Sequence, residues 1–520
     1  MRFIFLLLLL PALSMAALKP APDANNYINQ YEKPLLFGAD QCRGGYSCYT
    51  VPTACHRTIT TGDGNWDKIY NNSGDKVFCI QKGDHTSKGP INTNFAGTNG
   101  NEKWLIYEDG AGVEGLQVNP YNQSPANRAA VEGLIIDQGY WIVNGLYVDG
   151  NDGYFDVYVD ANNVVVDNLA VDGQYMGADT DAAAVKVEDN SENVTVQNST
   201  IFECKLLEGL DTNGVSFPPG SDNIYFVGNE IWDCSDNIIT SNAPDTNVSG
   251  GVIENNDMYK TSALYIDCAD TTWPYTFTPT GNCVCSENYI DLKQGGSSTS
   301  DPLTIMQNRF WGIRPGSQSS GGDCGATGEA QGDGLQFQNS SSDYILVKNN
   351  IMEDSQKGVR FATGASYNEV TGNVFHDFEE FYSGQPARVI SFEDSSGGKN
   401  LVADNTIANN ENVAGMDYVR LAGDSRFDCN AMIDAQNVDG SFSGSGASSY
   451  NAIIGDSASP GGSNQTVETA ANSNLINFTY YRKLITGPEL VTVTGIKPTA
   501  TTPWLNHCSG WTAPSGYGMN

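Results

Sequence analysis

One phrase recurs between residues 140 and 430: a short apolar run rich in β-branched residues, then Asn, then a polar turn. It reads VVVDN ending at Asn168, VTVQN at Asn198, IYFVGN at Asn229, VIEN at Asn255, LTIMQN at Asn308, ILVKNN at Asn350, EVTGN at Asn373 and LVADN at Asn405. Where no insertion intervenes, the spacing is about 23 to 32 residues, the period of a solenoid repeat. The runs are too short and too rich in Val and Ile for helices and lack a 3.6-residue period, so the repeat is built of strands. A strand-turn-strand unit of this period is one coil of a β-helix. Asn after the strand suits a tight bend, because it tolerates the left-handed region and its amide can bond the same group one coil away. Stacked coils then predict an Asn ladder. An antiparallel sandwich would show turn signals every 8 to 12 residues or so, and a propeller needs four strands per repeat; neither fits.

The rest of the chain is consistent with an exported solenoid. Met1, Arg2, the apolar run FIFLLLLL, Pro11 and ALSMAA have the layout of a signal peptide, with cleavage expected near Ala16. No later stretch approaches the roughly 20 apolar residues of a spanning helix. A secreted, extracellular or periplasmic protein is therefore expected, with no membrane partner. All 12 cysteines follow the signal, an even number that favours disulfides over metal-thiolate sites. A solenoid lengthens by adding coils, so 520 residues do not demand several domains. The expected division is 1–16 signal peptide, 17–100 Cys-rich cap and first coils, 101–430 β-helix, and 431–520 loop-rich C-terminal cap. A monomer is expected. With 27 Lys+Arg against 61 Asp+Glu, the formal charge of -34 opposes nucleic acid and anionic lipid. A polyanionic substrate would need a local exception: divalent cations, a cluster of the few basic side chains, or both.

A second set of strands follows the Asn phrases: SDNIITSN (235 to 242), SALYIDCA (262 to 269), SENYIDLK (286 to 293), QGDGLQFQ (331 to 338), QKGVRFA (356 to 362), ARVISFE (387 to 393) and DYVRLAG (417 to 423). Side chains alternate along a strand, so Ile290 and Leu292 point inward and Asp291 and Lys293 outward. The outward column reads Thr240, Asp267, Asp291, Gln336, Arg360, Ser391, Arg420, with Gln338 beside Gln336. Asp267 and Asp291, one coil apart, would repel without a cation between them, and Glu287 sits at the turn into the Asp291 strand. Three converging carboxylates suit calcium, which takes about six to eight oxygen ligands.

The repeats resemble the pectin-lyase-like superfamily of secreted right-handed parallel β-helix proteins, and SENYIDLKQGG followed by LTIMQNRFWGIR resembles the calcium-dependent pectate lyases. The resemblance implies that Glu287 and Asp291 are calcium ligands, that Asp267 takes the place of the ligand from the preceding coil, that Arg314 binds substrate, and that Arg360 serves as base. Gln336, Gln338 and Arg420 are further candidate substrate contacts. The family's tryptophan-isoleucine-aspartate-histidine motif is absent. The expected activity is calcium-assisted β-elimination of an acidic, uronic-acid-containing polysaccharide, which needs stabilisation of an enolate and a base. Arginine is normally protonated up to a pKa above about 12, so Lys293 competes with Arg360 for the role of base. A glycoside hydrolase on the same fold would need two carboxylates, for which Asp267 and Asp291 are candidates. The chain resembles polygalacturonases at DTNG (211 to 214) and DCSDNI (233 to 238) but lacks their Gly-His-Gly motif. A non-catalytic adhesion or matrix solenoid would need no column at all.

Overall fold

The computed structural model describes Tyr49 and most of 51–454, followed by 466–468, 476–484 and 487–495. Within that span 109–119, 151–154, 174–181, 205–211, 242–247, 262–287, 314–332, 379–387, 394–397, 409–418 and 434–441 lie outside the described residues, as do gaps of three residues or fewer. The described strands form three long parallel sheets of 14, 14 and 12 strands, and each full coil contributes one strand to each sheet. The first sheet runs from Arg57–Ile59 to Ala447–Ser449, the second from Gly83–Asp84 to Thr466–Glu468, and the third from Ile91–Asn92 to Phe442–Gly444. This is a right-handed parallel β-helix. Its coils extend beyond both ends of the stretch in which the Asn phrase is legible. An antiparallel hairpin, Ile476–Leu484 with Gly487–Gly495, follows, and its second strand packs against Thr406–Ala408 of the second sheet.

The coil has three strands where the sequence shows two. Strands of the second sheet, such as Glu230–Trp232, Arg309–Trp311 and Ile351–Glu353, are three residues long, too short to display an alternation of their own.

The bend from the first sheet to the second explains the Asn phrase and divides it into two roles. One residue takes a positive φ, and the next turns its side chain into the stack of coils. Asn168, Asn198 and Asn255 are bend residues, with φ of 53°, 51° and 56°. Asn229, Asn308, Asn350, Asn373 and Asn405 are rungs of the expected ladder, joined by Asn256, Asn430 and Asn451; all eight are buried. The rungs from Asn229 to Asn430 repeat one pattern. Asn308 donates from its backbone N and its Nδ2 to Asn350 Oδ1, at 2.9 and 3.0 Å, and from Nδ2 to the carbonyl of Ile253 at 2.9 Å. Earlier coils fill the position differently, with Leu169 and then Ser199, whose N–H donates to Asn229 Oδ1. Buried polar groups left without such partners cost about 1–3 kcal/mol each, so the ladder fixes the bend as well as the stacking.

Inside the coils, like residues lie over like. Val196, Phe226, Ile253, Ile305 and Val347 follow one another in register along the first sheet, all buried. Two disulfides are described. Cys55–Cys79 fastens the entry segment to the outward side of the first sheet, where Tyr49 and Val51 pack against Trp104, Ile142 and Val165. The Tyr49 hydroxyl donates to buried Asp167, which also accepts from Asn144 and Asn198 on neighbouring coils. Cys204–Cys234 links two successive coils, and Cys429 is also disulfide-bonded. Disulfides of this kind persist in oxidising compartments. No described helix is long and apolar enough to cross a membrane.

Candidate functional site

The third sheet carries the predicted column. Register places Thr240 beside Asp291, Asp291 beside Gln336, Gln336 beside Arg360, Arg360 beside Ser391, and Ser391 beside Arg420. The order matches the sequence reading with one correction. Thr240 pairs directly with Asp291, so no coil lies between them and the place assigned to Asp267 in this row does not exist. The 262–287 stretch falls in sequence between the second-sheet strand Asp257–Tyr259 and the third-sheet strand Asn288–Leu292. Asp267, Glu287 and Arg314 lie outside the described residues.

Asp291 is buried and accepts a hydrogen bond from Gln338 Nε2 at 3.0 Å. Lys293 and Gln338 are partly exposed just past the ends of their strands. Arg360 is partly exposed and donates from Nη2 to Glu393 Oε2 at 2.8 Å, while Arg388 Nη1 lies 3.6 Å from Glu393 Oε1. Of the oxygens a calcium ion would use, the described residues here offer the Asp291 carboxylate, the Gln336 and Gln338 amides and the Thr240 hydroxyl. The described group with three metal-ligand side chains within reach of one another lies elsewhere, at Glu108 and the disulfide Cys55–Cys79.

A second outward row escaped the sequence reading. Strict alternation predicts that Lys357 and Arg388, at even spacing from Val359 and Ile390, point inward. The strands instead begin with two consecutive core residues: Ile238 with Ile239, Tyr289 with Ile290, and Val389 with Ile390 all belong to the interior cluster. In the intervening coils the first of the two is Gly334 or Gly358, where a side chain would strike the next coil; a Cβ on Gly358 would fall 2.1 Å from the carbonyl oxygen of Val389. The doubled inward step turns the preceding residue to the outside. Asn213, Asn237 and Asn288 form one part of that row, with Asn237 donating to Asn213 at 3.2 Å and Asn288 to Asn237 at 3.0 Å. Lys357 and Arg388 pair side by side further along it. A Lys and an Arg at nominally interior positions are the signal by which sequence could have revealed the break.

Other candidates have structural roles. Asp233, in the stretch resembling polygalacturonases, is fully buried at a bend with φ 53° and accepts from Thr261 N and Oγ1, both at 2.6 Å. Trp311 belongs to the second sheet, in a buried stack with Tyr259, Trp232 and Phe202 rather than beside the column. His376 is buried between Glu353, 3.4 Å from Nε2, and Asp377, 2.7 Å from Nδ1.

No family model matches the sequence, and no curated protein matches it. Solved structures similar to it include the catalytic unit of a GH87 α-1,3-glucanase from Streptomyces thermodiastaticus, 12% identical over 81% of this chain and 70% of that one, with a TM-score of 0.41. A mannuronic acid specific polysaccharide family 6 lyase from human gut microbiota is 13% identical over 76% and 86%, with a TM-score of 0.38. The Dettilon tailspike protein is 11% identical over 84% and 76%, with a TM-score of 0.34. Residue roles rest on the geometry of the third sheet.

Proposed function

We propose that the outward face of the third sheet binds an acidic polysaccharide and cleaves it by β-elimination. The observation that carries this reading is the row Asp291, Gln336, Arg360, Ser391, Arg420, which puts two arginines on one face of a chain whose formal charge is -34. That is the local basic exception a polyanion requires. At about 4.8 Å per coil, Asp291 and Arg360 stand roughly 10 Å apart with Gln336 between them, the span of a sugar ring with its carboxylate.

In the reaction, a base removes the proton α to the uronate carboxylate, the electron pair forms the new C=C bond, and the C–O bond to the leaving sugar breaks. That oxygen then takes a proton from solvent. Arg360, held by Glu393, is stabilised as a guanidinium, which suits it to the charge of the enolate and not to proton removal. Lys293 is therefore assigned as the base, since an ammonium yields its proton far more readily than a guanidinium. Arg420, Gln336 and Gln338 are assigned to substrate binding. Calcium belongs to the same proposal, with Asp291 among the described residues and Glu287 as its companion by resemblance, while Asp267 loses the row position on which its part rested; when bound, calcium would neutralise the sugar carboxylate. The hydrolase reading loses ground because its carboxylate pair, Asp267 and Asp291, depended on the row position that Thr240 fills.

The test is incubation of the purified protein with pectate, alginate and glycosaminoglycans, with and without EDTA. Ultraviolet-absorbing unsaturated ends are expected from at least one polymer, with loss on chelation and at least a hundredfold fall in rate for Lys293→Ala, the low end of general-base contributions. Reducing ends without that absorbance would replace the lyase by a hydrolase. No cleavage, with Lys293→Ala and Arg360→Ala unchanged in binding, would leave an adhesin.

A further inference from the structure

We propose that Asn71 is an acceptor site for an N-linked glycan at the entry end of the solenoid. Asn71, Asn72 and Ser73 form an Asn-x-Ser triplet, the acceptor sequence for that modification in exported chains. In the transfer, Asn71 Nδ2 forms a bond to C1 of an oligosaccharide carried on a polyprenyl diphosphate. The C1–O bond to the diphosphate breaks, the lipid diphosphate leaves, and the amide gives up one proton. The proposal rests on the export reading of residues 1–16 and is independent of the polysaccharide reading.

Such triplets recur along the chain, and the fold discriminates among those whose side chains are described. A glycan fits the folded protein only where its Asn stays in solvent. Asn71 closes the short helix Asp67–Tyr70, its backbone N donating to the Asp67 carbonyl at 2.9 Å. It is exposed and its side chain makes no hydrogen bond, and Ser73 and Gly74 beyond it are exposed too. A Cβ added to Gly74 would meet nothing within 4 Å, so the space beside the triplet is open. The backbone around it is nonetheless held: Asn72 Nδ2 donates to the Lys68 carbonyl at 2.8 Å, and the Ser73 carbonyl accepts from Lys103 Nζ at 2.7 Å. Asn198 is the opposite case. Its Nδ2 donates at 2.8 Å to the buried carboxylate of Asp167, and Ser199 and Thr200 of its triplet are buried, so a sugar there would break a buried charge-assisted bond. Asn193 is exposed, but its amide is engaged between neighbouring coils, donating to Asn163 at 3.3 Å and accepting from Asn223 at 3.0 Å. Asn122 is exposed, but Pro125 follows its triplet and confines Ser124 to extended backbone, with φ of −65° and ψ of 151°. Position gives the glycan a role. Lys68 Nζ of the same helix donates at 2.8 Å to the Thr58 carbonyl in Arg57–Ile59, the outermost described strand of the first sheet, and Trp66 and Ile69 enter the interior cluster. Bulk at this end opposes pairing of one sheet end with another.

The experiment is secretion of the full chain from a cultured eukaryotic cell line, followed by enzymatic release of N-linked glycans and peptide mass spectrometry. Release converts each glycosylated Asn to Asp, so occupancy is read residue by residue. Residue 71 is expected to read as Asp in the wild type and in Ser73→Thr, and as Asn in Ser73→Ala; residue 198 is expected to read as Asn in all three. Asn71→Gln is expected to lose one glycan's worth of mass and, in sedimentation, to self-associate at lower concentration than the wild type. A secreted wild type unmodified at Asn71, or Ser73→Ala still modified there, overturns the proposal. Equal conversion at Asn71 and Asn198 overturns the selection by fold, and equal self-association overturns the role at the sheet end. Retention of the chain inside the cell would refute the export reading instead, and the same chain carrying the host's leader in place of residues 1–16 then decides Asn71 separately.

Discussion

Asn350→Ala tests the ladder, because its cost can be counted atom by atom. The Asn350 side chain accepts from Asn308 N and Nδ2, at 2.9 and 3.0 Å, and donates to the carbonyl of Ile305 at 2.9 Å and to Asn373 Oδ1 at 3.0 Å. Alanine leaves two donors of Asn308 and the Ile305 acceptor stranded in an interior that excludes water. At about 1–3 kcal/mol per stranded group, with partial relaxation, the expected loss is about 3–5 kcal/mol. Asn350→Ser should cost about half of that. Ser199 shows what serine does at this position: its Oγ accepts from Leu169 N at 3.1 Å and donates to the Gln197 carbonyl at 2.9 Å. The internal control is the adjacent pair Asn255 and Asn256. Asn255→Gly, at a bend with φ 56° that glycine adopts without strain, should fall by less than about 1 kcal/mol, whereas Asn256→Ala should behave like Asn350→Ala. Guanidinium unfolding followed by circular dichroism measures all four, provided the slope with denaturant stays constant across the series. A loss below about 1 kcal/mol for Asn350→Ala, or equal losses for Asn255→Gly and Asn256→Ala, would refute the division of labour between bend and rung.

Three further outcomes are expected. Gly358→Ala drives a methyl group against the Val389 carbonyl and should destabilise by about 1–3 kcal/mol, the cost of overpacking, measured in the same assay; wild-type stability would show that the neighbouring coil yields freely. His376 is pulled down by burial, but Asp377, Glu353 and Asp354 outweigh that and hold its pKa above the ordinary value. Its stabilisation is therefore full below the unfolded value of about 6.5 and is lost as pH rises through the folded value, so melting temperature should decline across that window in the wild type and not in His376→Gln. Replacing Cys204 and Cys234 together by Ala opens a loop with a sequence separation of 30 and should cost about 3–4 kcal/mol on loop-closure entropy, read from the denaturation midpoint; no change would place the link's contribution in the unfolded state's residual structure.

Much of this was legible in the sequence, and the misses have physical causes. The repeat period and the Val and Ile runs led to stacked strands, and the outward row from Asp291 to Arg420 follows from simple alternation around one aliphatic centre. Asn as bend and Asn as rung were merged because the two roles fall on adjacent residues, and in VIENN either Asn satisfies the pattern. Asp267 was assigned to the row because SALYIDCA and SENYIDLK share YID; a local match of three residues cannot distinguish a coil from an excursion between coils. Lys357 and Arg388 were hidden by the doubled inward step, which depends on a bend that no single strand displays. Trp311 is stacked on burial partners one coil apart, Tyr259, Trp232 and Phe202, a contact between coils that no single repeat displays.

The three corners of the coil have unequal freedom of length. From Trp141–Asn144 onward, two residues separate each described strand of the first sheet from the next strand of the second, whereas Lys82 alone and then residues 109–128 do so in the first coils. From the second sheet to the third, the connection ranges in length from the two residues 132–133 to the stretches 312–332 and 260–287. Insertions and deletions are therefore expected to accumulate at that one corner during divergence. It opens directly onto the strand ends that carry Asn288, Lys357 and Arg388. A lineage can thus lengthen or trim this corner while the ladder, the two-residue bends and the stacked interior remain untouched.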